Sequence, residues 1–143
     1  MTQPVISVFG SSAPQPDSEP YEEARRLGLA LAEAGFAVAT GGYGGVMAAV
    51  SRGAAEAGGR VIGVTSSHLE QWRPTPPNEW VSEEIRHPGQ RERLLHLVTQ
   101  NDGMIALPGG IGTLSEVSLA WSLMQTGEIP ERPLVLLGPT WRE

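Results

Sequence analysis

Residues 103–125 read GMIALPGGIGTLSEVSLAWSLMQ. Gly103 to Leu107 is a short apolar run of strand length. The glycine-rich turn Pro108-Gly109-Gly110-Ile111-Gly112-Thr113 follows, and an apolar helical stretch runs on to about Gln125. A strand that feeds a helix through a glycine turn is the unit from which parallel sheets are built.

The same alternation extends in both directions. Val5 to Phe9 reads as a strand ending at Gly10-Ser11-Ser12. Beyond a loop carrying Pro14, Pro16 and Pro20, a helix from about Tyr21 to Ala34 places Ala24, Leu27, Leu31 and Ala34 on one face and stops at Gly35. Phe36 to Thr40 is the second strand, and Gly41-Gly42-Tyr43-Gly44-Gly45 leads into a helix from about Val46 to Ala57, stopped by Gly58-Gly59. Arg60 to Thr65 is the third strand. The stretch from there to about Glu79 contains Trp72, Pro74, Pro76 and Pro77 and has no regular period, as in a lid or binding loop. Trp80 to Arg86 reads as a fourth strand, Pro88 to Gln100 as a helix and Arg132 to Gly138 as a sixth strand. The expectation is an α/β fold of the Rossmann-like, three-layer, doubly wound kind with a mainly parallel sheet, and one nucleotide-binding domain over residues 1–143. A sixth parallel strand is normally followed by a covering helix, so either a partner copy covers it or the chain is shorter than the natural protein.

Composition narrows the chemistry. The chain has 143 residues, 40% hydrophobic and 18% charged, with 18 glycines and 12 prolines, which suits one folded domain. All ten basic residues are arginine. Without lysine there is no pyridoxal phosphate imine, lysine nucleophile or Walker lysine; without cysteine there is no thiolate or disulfide. A net charge of -6 disfavours a long nucleic acid, while a small anion needs only a few N–H groups and an arginine. No apolar run approaches the roughly 20 residues of a membrane span, and the expected location is the cytoplasm. Three histidines without helical i, i+4 pairing make no ligand set, so no metal or cofactor is required.

The three glycine clusters follow strands, at the carboxyl edge where open parallel sheets bind ligands. Glycine lets a ligand approach the backbone, and the following helix presents unpaired N–H groups and partial positive charge. A dinucleotide fingerprint is not formed: Met47 and Ser115 stand where its last glycine belongs, and no acid closes the second strand. For Gly10 and for Gly58-Gly59 a plain turn suffices, whereas three glycines in four positions at Gly109 to Gly112 are more than one turn needs. Glu116 has two readings. Thr113-Leu114-Ser115-Glu116 matches a capping box; a carboxylate turned to the ligand would be kept anionic by the helix dipole and serve as base or cation stabiliser. Arg93 and Arg91 each fit a solvated helix face, His96 a helix face, Met47 the core, and Trp72, Trp80 and Trp121 packing.

Residues 108–116, Pro-Gly-Gly-Ile-Gly-Thr-Leu-Ser-Glu, resemble the PGGxGTxxE signature of the LOG (Lonely guy) family of cytokinin riboside 5'-monophosphate phosphoribohydrolases, matching all its fixed letters. Val8-Phe9-Gly10-Ser11-Ser12 looks like that family's first loop, and Thr40-Gly41-Gly42-Tyr43-Gly44-Gly45-Val46-Met47 like its GGGxxGLM turn. The family's MxxRK motif reads Gln90-Arg91-Glu92-Arg93-Leu94 here, keeping only the arginine. These departures, with residues 45–54, look more like a neighbouring branch that includes molybdenum cofactor carriers. The resemblance implies hydrolysis of the N-glycosidic bond of a nucleoside 5'-monophosphate such as AMP, with Arg93 and Glu116 catalytic. It also implies that Gly10, Ser11, Ser12, Gly41, Gly42, Gly44, Gly45, Met47, Pro108, Gly109, Gly110, Ile111, Gly112 and Thr113 bind substrate, in a homodimer or higher homo-oligomer. The alternative it leaves is a non-catalytic nucleotide or molybdenum cofactor carrier.

Overall fold

Strand β1, Val5–Phe9, sends Val8 to one side and Phe9 to the other, and both are fully buried. That two-sided burial is the mark of a strand inside a parallel sheet with both faces covered. In the computed structural model, which describes residues 3–142, the covering layers are α1 (Glu19–Glu33) with α2 (Val46–Glu56) on one face, and α4 (Gln90–Thr99) with α5 (Ile111–Gln125) on the other. The sheet between them comprises β1, β2 (Ala37–Thr40), β3 (Val61–Ser66), β4 (Glu83–His87), β5 (Gly103–Ala106) and β6 (Leu134–Leu136), with all its pairs parallel. The expected three-layer α/β fold is the one observed.

Strand order is β4-β3-β2-β1-β5-β6. The chain winds outward from β1 through β2, β3 and β4, then returns to the other side of β1 to lay down β5 and β6. Where winding direction reverses, the loops after β1 and β5 diverge to opposite faces and leave a crevice between them.

Local chemistry accounts for most boundaries. Ser18 caps α1 by accepting from the Tyr21 N–H, and a proline stands in its first turn. Gly35 and Gly58 follow the ends of α1 and α2 in left-handed conformation, as their helix-stop reading requires. Three expectations need correction. The aperiodic stretch after β3 opens with a six-residue helix, α3 (Ser67–Trp72), capped by the Ser66 hydroxyl. The fourth strand begins at Glu83 instead of Trp80, because Asn78 and Trp80 form a turn held by the Asn78 side chain. Trp72 and Trp121 do not pack: they are 70% and 64% exposed.

The two borders of the sheet differ. On β4, Glu83 pairs with Arg60 at 2.8 Å, and Arg86 pairs with Glu84 and with Glu70 of α3, each at 3.0 Å. On β6, Val135 and Leu136 are exposed. Among the described residues no helix is long and apolar enough to cross a membrane.

Candidate functional site

A cavity of about 390 Å3 opens at the carboxyl ends of β1 and β5, at the reversal of winding. Its walls come from the loop after β1 (Gly10, Ser11, Ser12), the second glycine turn with the start of α2 (Gly41, Met47), α4 (Gln90, Arg93, Leu94) and the first turns of α5 (Gly110 to Thr113, Ser115, Glu116). Elements far apart in sequence thus meet because the topology brings their ends to one edge.

The start of α5 decides between the two readings of Glu116. Its N-cap is Gly110, with no side-chain cap. Thr113 is therefore already the third helical residue, buried at 3% exposure, and the capping box does not form. At about 100° per residue, Glu116 falls within about 60° of Thr113 and about 40° of the buried Ala120, on the inward side of α5. The N–H groups of Ile111, Gly112 and Thr113 have no intrahelical acceptor. A Cβ added at Gly110 or Gly112 would meet nothing within 4 Å, so the backbone there borders open space.

Arg93 is not a solvated surface arginine. Its Nε donates to the Val64 carbonyl at 2.8 Å and Nη2 to the Gly41 carbonyl at 3.0 Å; Nη2 also lies 3.7 Å from Met47 Sδ, and the guanidinium carbon is 5.4 Å from the Tyr43 ring centroid. These partners are neutral, so the charge is not cancelled by its own scaffold. No buried polar side-chain atom among the described residues lacks a partner. Nη1 of Arg93 and the Glu116 carboxyl make no hydrogen bond among the described residues, and both residues line the cavity.

Burial pushes the Glu116 carboxyl up to about 7, against a smaller opposing pull from Arg93. This corrects the expectation that the helix dipole keeps the group anionic: Glu116 stands beyond the first turn, where the dipole has faded, and desolvation wins. Burial also lowers the Arg93 pKa, with Glu116 and then Tyr43 opposing the shift. The result is a cation and a proton-exchanging carboxyl facing one small cavity.

The second glycine turn has a different task. Gly45 sits at φ +63°, and a side chain there would run into the backbone of Ser11 and Ser12. The first N–H of α2, from Val46, is already given to the Ser11 carbonyl at 2.9 Å. Asn78 fastens the turn from outside: its backbone N–H and Nδ2 donate to the Gly42 carbonyl, and Nδ2 to that of Tyr43 at 2.9 Å. Gly42, Gly44 and Gly45 accordingly lie outside the cavity wall, as do Pro108 and Gly109. The other expected positions, Gly10, Ser11, Ser12, Gly41, Met47, Gly110, Ile111, Gly112 and Thr113, line it, and Met47 is half-buried on the wall instead of sealed in the core. Arg91 is exposed, and His96 pairs with His87, ring nitrogen to ring nitrogen, at 3.2 Å. Gln90 and Leu94 on the wall, and Asn78 and Tyr43 behind it, were not singled out as site residues from sequence. For Gln90 the available signal was its place one turn before Arg93, and for Leu94 its place one turn after Gln90, on the same helix.

Comparison with known proteins gives the same frame. The SLOG cluster4 family matches residues 3–127. A cytokinin riboside 5'-monophosphate phosphoribohydrolase of Mycobacterium tuberculosis is 30% identical over 135 residues, covering 94% of this chain and 70% of that protein. The probable cytokinin riboside 5'-monophosphate phosphoribohydrolase LOGL5 of rice is 32% identical over 139 residues, and the match spans 53% of its length. The solved structure of a molybdenum cofactor binding protein from Rippkaea orientalis superposes with a TM-score of 0.78 at 30% identity, over 97% of this chain and 78% of that one.

Proposed function

The chain belongs to the SLOG cluster4 family, and we propose that it is a nucleoside 5'-monophosphate phosphoribohydrolase, cleaving the N-glycosidic bond to free base and ribose 5-phosphate. The observation that carries this reading is the convergence of Arg93 and Glu116 on the cavity that also receives the open N–H groups of α5. The 5'-phosphate sits on the α5 N-terminus, where N–H groups and dipole favour an anion. Arg93 faces the sugar and Glu116. Glu116, in its ionised form, takes a proton from water as the new C1'–O bond forms and the C1'–N bond breaks, and it stabilises the cationic sugar between them. The base leaves with a proton, so one water is divided between the two products.

One general base contributes about 10² to 10⁴ in rate, less than the at least 10⁶ or so of enzymes as a class. Positioning through the phosphate must supply much of the remainder. The test is incubation with AMP and with adenosine, followed by chromatography for adenine. Adenine should appear from AMP, with adenosine cleaved far more slowly in turnover as well as binding; equal rates would sink the anchoring role of the phosphate. AMP bound but intact would favour the second reading, a carrier of a phosphorylated cofactor, which draws on the resemblance to the Rippkaea orientalis protein. A carrier has use for phosphate donors but no evident use for a buried carboxyl facing an arginine in the same cavity.

The reading places the enzyme in the cytoplasm and includes a second copy of the chain. On α5, Ile111, Leu114 and Trp121 share one outward face and are 79%, 53% and 64% exposed. Ile111 is also part of the cavity rim. A copy seated on this apolar row would bury it and narrow the mouth of the cavity at once.

A further inference from the structure

Tyr43 lies in the glycine turn after β2, two residues beyond Gly41 of the cavity wall, and its two ends do different things. The ring face lies against the Arg93 guanidinium, with the guanidinium carbon 5.4 Å from the centroid. The hydroxyl accepts from the Ser66 N–H at 3.0 Å and donates to Glu70 Oε2 at 2.9 Å. Glu70, on α3, is held in turn by Arg86, and Arg86 by Glu84, which accepts from the Thr65 hydroxyl at 2.6 Å. Thr65 and Ser66 directly follow Val64, whose carbonyl receives Arg93 Nε. The loop of contacts therefore closes: the strand that holds one edge of the guanidinium also holds the phenol that backs its face.

We propose that Tyr43 is a positioning residue for the reaction, fixing the plane of the Arg93 guanidinium so that Nη1 is presented to the ligand. This rests on the hydrolase reading. Two carbonyl acceptors set one edge of the guanidinium but leave it able to rock about that edge; an aromatic face within cation–π range, 5.4 Å from centroid to guanidinium carbon, opposes that motion while leaving the positive charge unneutralised. Burial pushes the phenol pKa up, so the hydroxyl stays protonated and remains a donor to Glu70. The stacked face touches no reacting atom, so its effect belongs in turnover more than in substrate affinity.

The experiment is steady-state hydrolysis of AMP by wild type, Tyr43→Leu, Tyr43→Phe, Arg93→Ala and the Tyr43→Leu/Arg93→Ala double variant, with melting curves for each. Loss of the stacked face should lower kcat roughly ten- to thirtyfold, with KM changed by less than about threefold. Tyr43→Phe, which keeps the face, should retain at least about a third of kcat. In the Arg93→Ala background the leucine change should do nothing further, an outcome that a purely structural role for Tyr43 would not give. A Tyr43→Leu enzyme within twofold of wild-type kcat, or additive losses in the double variant, overturns the proposal. Should Tyr43→Leu fail to fold, Tyr43→Met, which fills similar space without an aromatic face, is read against Tyr43→Phe: a kcat at least about tenfold below that of Tyr43→Phe supports the proposal, and any smaller difference overturns it. A wild type that leaves AMP intact removes the hydrolase reading alone. The same cycle is then read in AMP affinity, where additivity overturns the role of Tyr43 and non-additivity supports it.

Discussion

Glu116 is a residue held against its solvation preference. Its carboxyl is pushed up to about 7 from an ordinary value of 4.5. Between these two values the folded chain keeps a proton that the unfolded chain has released, so stability falls as pH rises through that window and the cost is complete above about pH 7. Glu116→Gln removes the titration. The variant should therefore match wild type below about pH 4.5 and exceed it at pH 8 by up to about 3 kcal/mol, measured as urea unfolding at the two pH values. The same variant should lose AMP turnover while still binding the nucleotide; full activity would return Glu116 to a structural role. In wild type, a base at this position makes turnover rise as pH passes through about 7, and a falling profile would identify a proton donor instead. Sequence shows the threonine and glutamate spacing but not which residue caps the helix. The structure moves the cap three residues upstream to Gly110, and that shift separates a capping carboxylate from one that faces the cavity. Arg93 poses the same difficulty: beside Arg91 and Glu92 it reads as surface, and only the carbonyls of Val64 and Gly41, supplied by other elements, make its burial tolerable.

Among the elements, strands and long helices are legible because apolar period and glycine punctuation agree there. Helix α3 is not, since six residues hold too little period to register. The Ser66 cap was its available signal. The segment after α3 matters for the site because Asn78 binds back to the carbonyls of Gly42 and Tyr43. Asn78→Ala leaves part-buried acceptors without their side-chain partner and should cost about 1–3 kcal/mol. It should also lower AMP turnover by loosening the turn that carries Gly41. Chemical denaturation and kinetics on the same preparation check both, and a variant with wild-type stability would mean that solvent replaces the amide without loss. Gly41 is a harsher test of the same turn. A Cβ there would occupy the space of Arg93 Nη2 and crowd Met47 Sδ at 2.6 Å, so Gly41→Ala should abolish turnover with little change in helix content by circular dichroism.

At the scale of the whole molecule, the reversal of winding beside β1 explains why residues from four separate segments share one cavity. Strand order itself was not readable from the chain; parallel alternation was. The expectation of a dimer rests on the resemblance and on the sixth strand's need for a cover; the exposed row on α5 is a surface on which it can be tested. Trp121→Glu, placed away from the cavity lining, should shift the chain to monomer in light scattering while the melting temperature stays within a few degrees. A wild-type monomer at tens of micromolar would end that expectation.

The unlike borders of the sheet have a consequence for what happens when the protein is stressed. A foreign strand approaching β4 meets carboxylates and arginines already engaged with one another. One approaching β6 meets a short ribbon of valine and leucine whose own residues carry no charge. Heat-induced aggregates should consequently grow from a single side. Deuterium labelling would then find the Leu134–Leu136 amides sheltered early, while those of Glu83–His87 still exchange.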